Sequence, residues 1–306
     1  MPASIEPLEL GQFIPLHYHF NMLNDSARMR SFKAAIEQVV HPDAQVLELG
    51  GGTGVLSFFA AQQGARVRCV ERNPELVAAA RNILNLNGCA DRVEVIQADA
   101  SLYLPPEPVD VVICEMLHAG MLREKQLAMI DAFKRRYIAR FGAELPAFVP
   151  EACIQAIQPV QQNFDFEGYV APMCLFQEPT ITQDRTLELS EPCVFQLFSY
   201  EDAFSIECAW DGLIDIESDG LLNAVRVITK NVLAISVQEQ RTIDWHNQYL
   251  VVPLPEALPV CAGDRIAIRF GYEAGAPLNA LLDSLDVRLV ADRPSSTADH
   301  TSQAVA

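Results

Sequence analysis

The chain contains 306 residues, of which 50% are apolar, so it is long enough to bury the core of two moderate domains. It carries 40 acidic and 22 basic side chains, for a formal net charge of -18. This excess of acid works against a phosphate-binding surface, so we expect cationic partners rather than nucleic acid.

The N-terminal residues give no sign of export or membrane insertion. Residues 1–6 lack a basic region and a long apolar core, and no later run of about 18 apolar residues could span a bilayer. The eight cysteines include no Cys-x-x-Cys pair, which argues against a zinc cluster. We therefore expect a protein of the reducing cytoplasm, with no metal and no membrane partner.

Residues 46–54 form an apolar strand that ends in a glycine-rich turn, and a helical stretch follows. Glycine tolerates positive φ and lets the backbone approach a ligand closely, so Gly50, Gly52 and Gly54 suit a tight cofactor-binding turn. Glu71 ends the next apolar run, where a doubly wound fold sets an acidic side chain against ribose hydroxyls. Together the two features predict a pocket for an adenosyl group.

The position of Glu48 separates two kinds of cofactor. A dinucleotide site brings a pyrophosphate to a helix N-terminus, where a second acid such as Glu48 would repel it. The sulfonium and amino groups of S-adenosylmethionine are both positively charged, so they suit a site with two nearby carboxylates. We therefore predict S-adenosylmethionine as the cofactor and S-adenosylhomocysteine as its product.

Short apolar runs alternate with helical segments as far as residue 114. Strands are predicted over residues 46–49, 66–70, 93–97 and 109–114, and helices over residues 55–63 and 74–85. Pro74 suits the first turn of its helix, where no N–H donor is needed. Strands that alternate with helices at this spacing indicate βαβ units and a parallel sheet, so this part is predicted to be a Rossmann-like α/β domain.

Two acids follow the last predicted strand, at the carboxyl edge where open α/β sheets bind ligands. Glu115 comes directly after Cys114, and Glu124 lies nine positions further on. On one unbroken helix these side chains would lie on opposite sides, about 13 Å apart along the axis. They can converge only if the chain reverses between them, and Gly120 offers a place for that reversal.

After about residue 150 the pattern changes to short alternating runs separated by turns such as Asp211-Gly212. Such runs predict antiparallel strands in a sandwich or a barrel. The tail has no apolar pattern and is rich in Ser, Thr and Ala, so it is predicted to be disordered. The expected divisions are an N-terminal segment at 1–45, the Rossmann-like domain at 46–150, the β domain at 151–290 and the tail at 291–306.

The glycine loop, Glu71 and the acid pair together resemble the protein arginine methyltransferases and their small bacterial relatives. In that family a hairpin with two glutamates nine residues apart positions the guanidinium of arginine, and Glu115 and Glu124 match this pair. Residues 22–28, which read Met-Leu-Asn-Asp-Ser-Ala-Arg, resemble the family's Met-Leu-x-Asp-x-x-Arg segment. The similarity covers roughly residues 15–290.

The resemblance implies an S-adenosylmethionine-dependent N-methyltransferase that acts on arginine, either free or within a peptide or protein. It implies that Arg28 binds the methionyl carboxylate of the cofactor, that Met22 borders the reacting methyl and that Asp99 with Ala100 contacts the adenine edge. The N-terminal segment would close over the cofactor. Residues 163–184 would form a dimerisation arm, so a homodimer is expected.

One late segment departs from the family pattern. Family members carry Thr-His-Trp along the arginine slot, whereas residues 243–245 read Ile-Asp-Trp, so only Trp245 matches. Asp244 would lie beside Asp25 and repel it unless one acid is protonated or a cation intervenes. We expect Asp244, Trp245 and His246 to lie at the substrate slot.

Two other functions stay open at the level of sequence. The same architecture could methylate an RNA base or a metabolite, although the acid excess argues against RNA and the glutamate pair argues for a cation. A non-catalytic scaffold could also keep a methyltransferase core, but the intact glycine loop and hairpin acids argue against it. His118 and His246 are candidates to accept the proton released by methyl transfer.

Overall fold

The computed structural model describes residues 14–180 and 182–290. The tail at 291–306, predicted to be disordered, lies outside the described residues, as do residues 1–13 of the N-terminal segment. The helices of the described residues are α1 (Leu16–Asn24), α2 (Ser26–Val39), α3 (Val55–Gln62), α4 (Pro74–Leu86), α5 (Gln126–Phe141) and α6 (Leu278–Ser284).

The first sheet is parallel, as the alternation of strands and helices predicted. Its strands are β1 (Gln45–Leu49), β2 (Arg66–Glu71), β3 (Val93–Gln97), β4 (Val111–Cys114) and β5 (Ala147–Val149), in the order β3-β2-β1-β4-β5. The central strand β1 is buried along nearly its whole length because helices cover both faces of such a sheet. The carboxyl ends of β1, β2 and β4 therefore meet at one edge.

Short polar side chains fix where the helices near that edge begin. The side chain of Asn73 accepts a hydrogen bond from the Glu75 N–H at 2.9 Å, and Pro74 occupies the first turn of α4. Asp25 does the same for α2 by accepting from the Arg28 N–H at 2.9 Å. These caps satisfy donors that would otherwise be left unpaired at each helix start.

The second half of the chain forms antiparallel sheets, as predicted. Its strands are β6 (Ala152–Gln162), β7 (Asp165–Phe166), β8 (Tyr169–Val170), β9 (Leu175–Gln177), β10 (Thr186–Glu188), β11 (Cys193–Ser199), β12 (Glu207–Asp215), β13 (Gly220–Ser236), β14 (Arg241–His246), β15 (Tyr249–Val260), β16 (Arg265–Glu273) and β17 (Asp286–Val290). The largest sheet has the order β10-β6-β13-β15-β9, with β11 on β6 and β14 on β13. A second sheet has the order β12-β16-β17, and β7 pairs with β8. The long strands β6 and β13 are the frame of this half.

One continuous apolar core joins the two halves. It includes Ile113, Leu122 and Phe148 from the first half and Val227 and Leu250 from the second. Burial of these side chains is the main favourable contribution to holding the halves together. Within residues 14–180 and 182–290, no helix combines the length and the apolar character needed to cross a bilayer.

A buried acid inside β1 supports the start of α3. Glu48 is 3% exposed, and its carboxylate accepts hydrogen bonds from the N–H of Ser57, at 3.0 Å, and from the Ser57 hydroxyl. Burial raises the pKa of Glu48 to about 7, although the hydrogen bonds from Ser57 oppose this shift. The carboxyl group is therefore a titrating part of the fold near neutral pH.

Replacing Glu48 with Gln should flatten the pH dependence of stability. The pKa of Glu48 is about 7 in the folded protein against an ordinary 4.5, so the folded state binds more protons than the unfolded state between these values. Its contribution to stability is therefore lost as pH rises through that window. We expect Glu48→Gln, which keeps an acceptor for Ser57, to gain up to about 3 kcal/mol relative to the wild type across the window.

Urea denaturation at a series of pH values measures this difference. The exposed acid Glu75 supplies the control, because Glu75→Gln should leave the pH dependence of the wild type unchanged. Parallel curves for Glu48→Gln and the wild type would show that Glu48 does not titrate in this way.

Candidate active site

The turn between β1 and α3 is built from glycines in the left-handed region. Gly50, Gly52 and Gly54 have φ values of 78°, 55° and 82°. Gly50 N–H donates to the Val70 carbonyl at 2.9 Å, which holds the turn against β2. A Cβ atom on Gly52 would lie 2.7 Å from Cε1 of His19, so a larger residue would displace α1. The turn therefore requires glycine for both its conformation and its close approach to a neighbour.

Glu71 lies beside this turn, at the end of β2. Its carboxylate accepts hydrogen bonds from the N–H groups of Gly52, at 2.9 Å, and Asn73, at 2.8 Å. The side chain is 8% exposed, so Glu71 is a buried carboxylate held by backbone donors at the edge of the sheet. This is the place where the sequence predicts a ribose-binding acid.

His19 of α1 also lies at the glycine turn, and sequence reasoning missed it. Burial and the charge of Arg28 lower the pKa of His19, against the opposing effect of Glu71. Its Nε2 atom is buried without a hydrogen-bond partner in the described part of the chain. His19 lies three residues before Met22, a spacing that puts two side chains on one helix face and could have revealed it.

Glu48 lies below the turn rather than in it. Its carboxylate accepts hydrogen bonds from Ser57. A Cβ atom on Gly51 would lie 3.6 Å from the carboxyl carbon of Glu48. Glu48 therefore supports the glycine turn from beneath, and its predicted contact with the cofactor stays a prediction.

The loop after β3 brings Asp99 and Ala100 to the same edge of the sheet. Asp99 accepts hydrogen bonds from Ser101 N–H at 2.9 Å and from its hydroxyl at 2.6 Å. These bonds lower the pKa of Asp99, with Arg72 at 3.8 Å as a lesser cause. Ala100 is buried. The loop is therefore held in one conformation beside the end of β3.

Arg28 crosses from α2 to the end of β4. It is 6% exposed, and its Nη2 atom donates to the Glu115 carboxylate. Nη1 donates to the Met22 carbonyl at 3.5 Å, and the ring of Phe32 lies 5.4 Å from the guanidinium carbon. Burial lowers the pKa of Arg28, but Glu115, with smaller effects from Asp25 and Glu48, outweighs this, so the pKa is raised and the group stays charged. A guanidinium thus lies against one of the two acids singled out from the sequence.

The segment between Glu115 and Glu124 reverses direction, as predicted. Residues Ala119–Met121 form a single 3-10 turn, in which Gly120 has a φ of 68°. The reversal brings Glu124 back toward Glu115, so the two carboxylates interact electrostatically. We refer to residues 115–124 as the acid hairpin.

Glu124 carries a strongly perturbed carboxyl group. Burial and, to a lesser extent, the charge of Glu115 raise its pKa to about 8, against the opposing effects of Arg28 and Arg123. Two carboxylates in one dry site therefore compete for the available positive charge. A site of this kind binds a cation more readily than a neutral or anionic group.

The residues of β14 divide between its two sides because side chains alternate along a strand. Trp245 faces α2, where its ring centroid lies 5.9 Å from that of Phe32. Asp244 faces the other side and pairs with Lys230 at 2.8 Å. Asp244 is therefore paired with a lysine, which is one of the two conditions under which no repulsion from Asp25 was expected, and Asp25 itself caps α2.

The two candidate histidines lie in different places. His246 is opposite Lys230 in the strand register, on the Asp244 side, and burial together with Lys230 lowers its pKa. Asp244 and His246 therefore share one side of β14 and Trp245 lies on the other, so their common place at the slot stays a prediction. His118 lies within the acid hairpin, 5.5 Å from the ring of Phe176, and burial lowers its pKa.

The site fits an adenosyl cofactor with a carboxylate. The glycine turn leaves backbone free to approach a ligand, and Glu71 stands beside it as an acceptor for hydroxyl groups. Two buried nitrogens, His19 Nε2 and Arg28 Nε, lack hydrogen-bond partners within the described residues and can donate to such a ligand. Within residues 14–180 and 182–290, no three side chains of His, Cys, Asp or Glu are grouped so that they could hold a metal ion.

The sequence of this chain is similar to that of known methyltransferases and of an uncharacterized protein. A family model described as a methyltransferase domain matches residues 46–137. An uncharacterized protein of Methanothermobacter thermautotrophicus is 28% identical over 88% of this chain and 97% of that protein. Arginine N(omega)-methyltransferase of Streptomyces achromogenes is 33% identical over 135 residues, which are 42% of this chain and 37% of that enzyme.

A solved structure shares the fold across both halves. The Trypanosoma brucei PRMT1 enzyme-prozyme complex with AdoHcy superposes with a TM-score of 0.68 at 19% identity and covers 83% of this chain and 87% of that one. Its parallel and antiparallel halves follow each other as they do here. Residues 46–137 therefore form an S-adenosylmethionine-dependent methyltransferase domain, and the two-domain chain resembles the protein arginine methyltransferases.

Proposed function

We propose that this enzyme transfers a methyl group to a guanidino nitrogen of arginine. The observation that supports the proposal is the acid hairpin, in which the charge of Glu115 acts on Glu124 and the guanidinium of Arg28 pairs with Glu115. The Streptomyces relative, which is named an arginine methyltransferase, supports the same substrate class.

The acid pair suits the chemistry of a guanidinium. This group is a planar fork of five N–H donors that stays protonated at neutral pH. Two carboxylates can hold the fork by bidentate hydrogen bonds and direct one nitrogen toward the reaction partner. They also draw positive charge toward the bound nitrogens, which leaves the remaining nitrogen more nucleophilic. Each close charge pair contributes roughly 4 kcal/mol before desolvation.

Glu124 is the side chain best suited to take up the released proton. When bound, S-adenosylmethionine supplies a methyl group on a sulfonium sulfur, which keeps the electron pair of the broken S–C bond. The nitrogen that forms the new N–C bond gives up one proton. Because its pKa is about 8, Glu124 can hold that proton at neutral pH more readily than an ordinary carboxylate.

Most of the remaining site residues are assigned to the cofactor, and Trp245 is assigned to the substrate. We propose that Arg28 binds its carboxylate, that Glu71 binds the ribose hydroxyls and that Asp99 with Ala100 borders the adenine. Gly50, Gly52 and Gly54 let the backbone approach the adenosyl group, with Glu48 supporting the turn. Met22 would border the methyl and Trp245 the substrate arginine, and His19 joins this set because its unpaired Nε2 lies at the turn.

A substrate screen tests the proposal directly. Labelled S-adenosylmethionine would be incubated with free arginine, an arginine-rich peptide, a histone-like protein and transfer RNA, with the products read by mass spectrometry. We expect label on a guanidino group. Label on RNA or another metabolite alone would contradict the proposal, and cofactor binding without turnover on any guanidino compound would favour a scaffold.

Replacing Glu124 with Gln should abolish most of the activity without loss of cofactor. The change removes one charge from the acid pair but keeps its size, so we expect kcat to fall at least about a hundredfold. The dissociation constant for S-adenosylhomocysteine, measured by calorimetry, should stay unchanged. The exposed acid Glu107 gives a matched control, since Glu107→Gln should keep full activity. Near wild-type turnover in Glu124→Gln would remove this residue from the mechanism.

The pH profile should report the same carboxyl group. Glu124 must lose its proton before it can hold a cation, and its pKa in the folded protein is about 8. We therefore expect kcat/KM to rise with pH and to level off above about 8. In Glu115→Gln, which removes a repelling charge, the inflection of the residual activity should move to lower pH. A kcat/KM that stays constant between about pH 6 and about pH 9 would contradict the assignment.

We also propose that residues 163–184 join two copies of the chain. Tyr169, Val170 and Met173 are 73%, 67% and 61% exposed, although large apolar side chains of this kind are usually covered. We expect the wild type to sediment as a dimer at micromolar concentration and the double variant Tyr169→Asp, Met173→Asp to sediment as a monomer. Val237 in the turn after β13 is more exposed still, so Val237→Asp is the control. A monomeric wild type would contradict the proposal.

A further inference from the structure

The acid hairpin adopts an uncommon backbone conformation. Gly120, Met121 and Arg123 have φ values of 68°, 55° and 61°. These lie in the left-handed region, which residues other than glycine rarely adopt. Gly120 adopts this conformation readily, whereas Met121 and Arg123 are strained in it and keep it only where their surroundings hold them. The hairpin between the two acids is therefore not a stable unit by itself.

The antiparallel half supplies the groups that hold the reversal. Gly120 N–H donates to Oγ1 of Thr229 at 2.7 Å, and the Gly120 carbonyl accepts from the hydroxyl of Tyr272 at 2.6 Å. A Cβ on Gly120 would lie 3.3 Å from that hydroxyl, so the fit is tight. Both backbone polar groups of Gly120 are thus bound by side chains that lie more than 100 residues further along the chain.

Thr229 is itself oriented by a buried neighbour. Its hydroxyl donates to Oε1 of Gln155 at 2.9 Å, which leaves its lone pairs to accept from Gly120. Thr229 and Gln155 are fully buried, and Tyr272 is 6% exposed. Because water does not compete here, each bond has a defined direction.

The two ends of the hairpin are held by different halves of the protein. Near Glu115, the side chain of Gln126 donates to the Cys114 carbonyl at 2.6 Å and accepts from Met116 N–H at 2.9 Å. Near Glu124, Arg123 N–H donates to the Ala276 carbonyl at 2.8 Å. The spacing of the two acids therefore depends on contacts from both halves.

We propose that Thr229 and Tyr272 are positioning residues that fix the reversal at Gly120 and thereby set the separation of the Glu115 and Glu124 carboxylates. The inference rests on the proposed function of these acids as a guanidinium clamp. A planar fork must meet both carboxylates at once, and a misplacement of about 1 Å in such a site costs about a hundredfold in rate. Neither residue needs to touch the substrate to have this effect.

Tyr272→Phe and Thr229→Val remove one hydrogen bond each from the hairpin. We expect each to lower kcat by about tenfold to a hundredfold while the dissociation constant for S-adenosylhomocysteine stays unchanged. Thr229→Ser, which keeps the hydroxyl, should restore most of the activity. Tyr137→Phe is the matched control, because it removes a buried hydroxyl away from the hairpin, one that accepts from Val109 N–H at 3.1 Å and donates to the Val109 carbonyl at 3.3 Å. It should destabilise the fold to a similar extent and leave kcat near that of the wild type.

A second measurement reports the separation of the acids without turnover. Carboxyl-labelled enzyme bound to S-adenosylhomocysteine would be titrated by NMR to obtain the pKa of Glu124, whose neighbouring charges are Glu115, Arg28 and Arg123. We expect a lower pKa in Tyr272→Phe than in Tyr137→Phe, since a loosened hairpin weakens both burial and the repulsion from Glu115.

The outcomes separate this inference from the proposed function. If Tyr272→Phe matches Tyr137→Phe in both kcat and the pKa of Glu124, the positioning role is overturned. If the pKa moves while Glu124→Gln keeps its turnover, the two residues do set the spacing, but the guanidinium clamp is wrong. A fall in kcat together with the lower pKa supports the inference.

Discussion

The site depends on placing two carboxylates and one guanidinium together out of water. Arg28 and Glu115 are both largely buried, and Glu124 lies close enough to feel the charge of Glu115. Buried charges of one sign repel strongly at low dielectric, so such a group is stable only with a counter-charge and well-directed hydrogen bonds. Once Glu124 is ionised, the cluster holds two negative charges against one positive charge and needs one more positive charge. We propose that the substrate supplies it.

Three parts of the chain are needed to build that cluster. The N-terminal helices contribute Arg28, which lies 87 residues before its partner in sequence. Strand β4 of the parallel sheet leads directly into Glu115. The antiparallel half holds the reversal that brings Glu124 back toward it. A Rossmann-like sheet by itself could present one acid at its edge, but the second depends on the added half. This dependence gives a physical reason for the two-domain form.

Acids of one residue type behave differently according to what surrounds them. Glu71 accepts two backbone N–H groups. Glu48 is tied to Ser57 beneath the glycine turn, where burial raises its pKa to about 7. Glu124 is buried and is repelled by the charge of Glu115, and its pKa rises to about 8. Desolvation acts on both of the latter, but the neighbours decide whether the carboxyl group supports the fold or is available for proton transfer.

The sequence by itself determined the features that depend on local physics. Positive φ at Gly52, the helix start at Pro74 and the reversal at Gly120 follow from residue types that favour these conformations. The order of strands and helices followed from hydrophobic periodicity, and the acid pair from its place after β4. The glycine turn with Glu48 and Glu71 predicted the cofactor, and the resemblance to a known family extended this to the substrate class.

Only the tertiary structure decided which way the long-range residues face. Asp244 lies on the Lys230 side of β14 because the register with β13 sets which side chains share a face, and no local pattern encodes that register. His19 reaches the glycine turn through the packing of α1, and Glu48 turns under it because α3 offers Ser57 as a donor. The clamp on Gly120 likewise joins residues distant in sequence, so it could not be predicted from either segment alone.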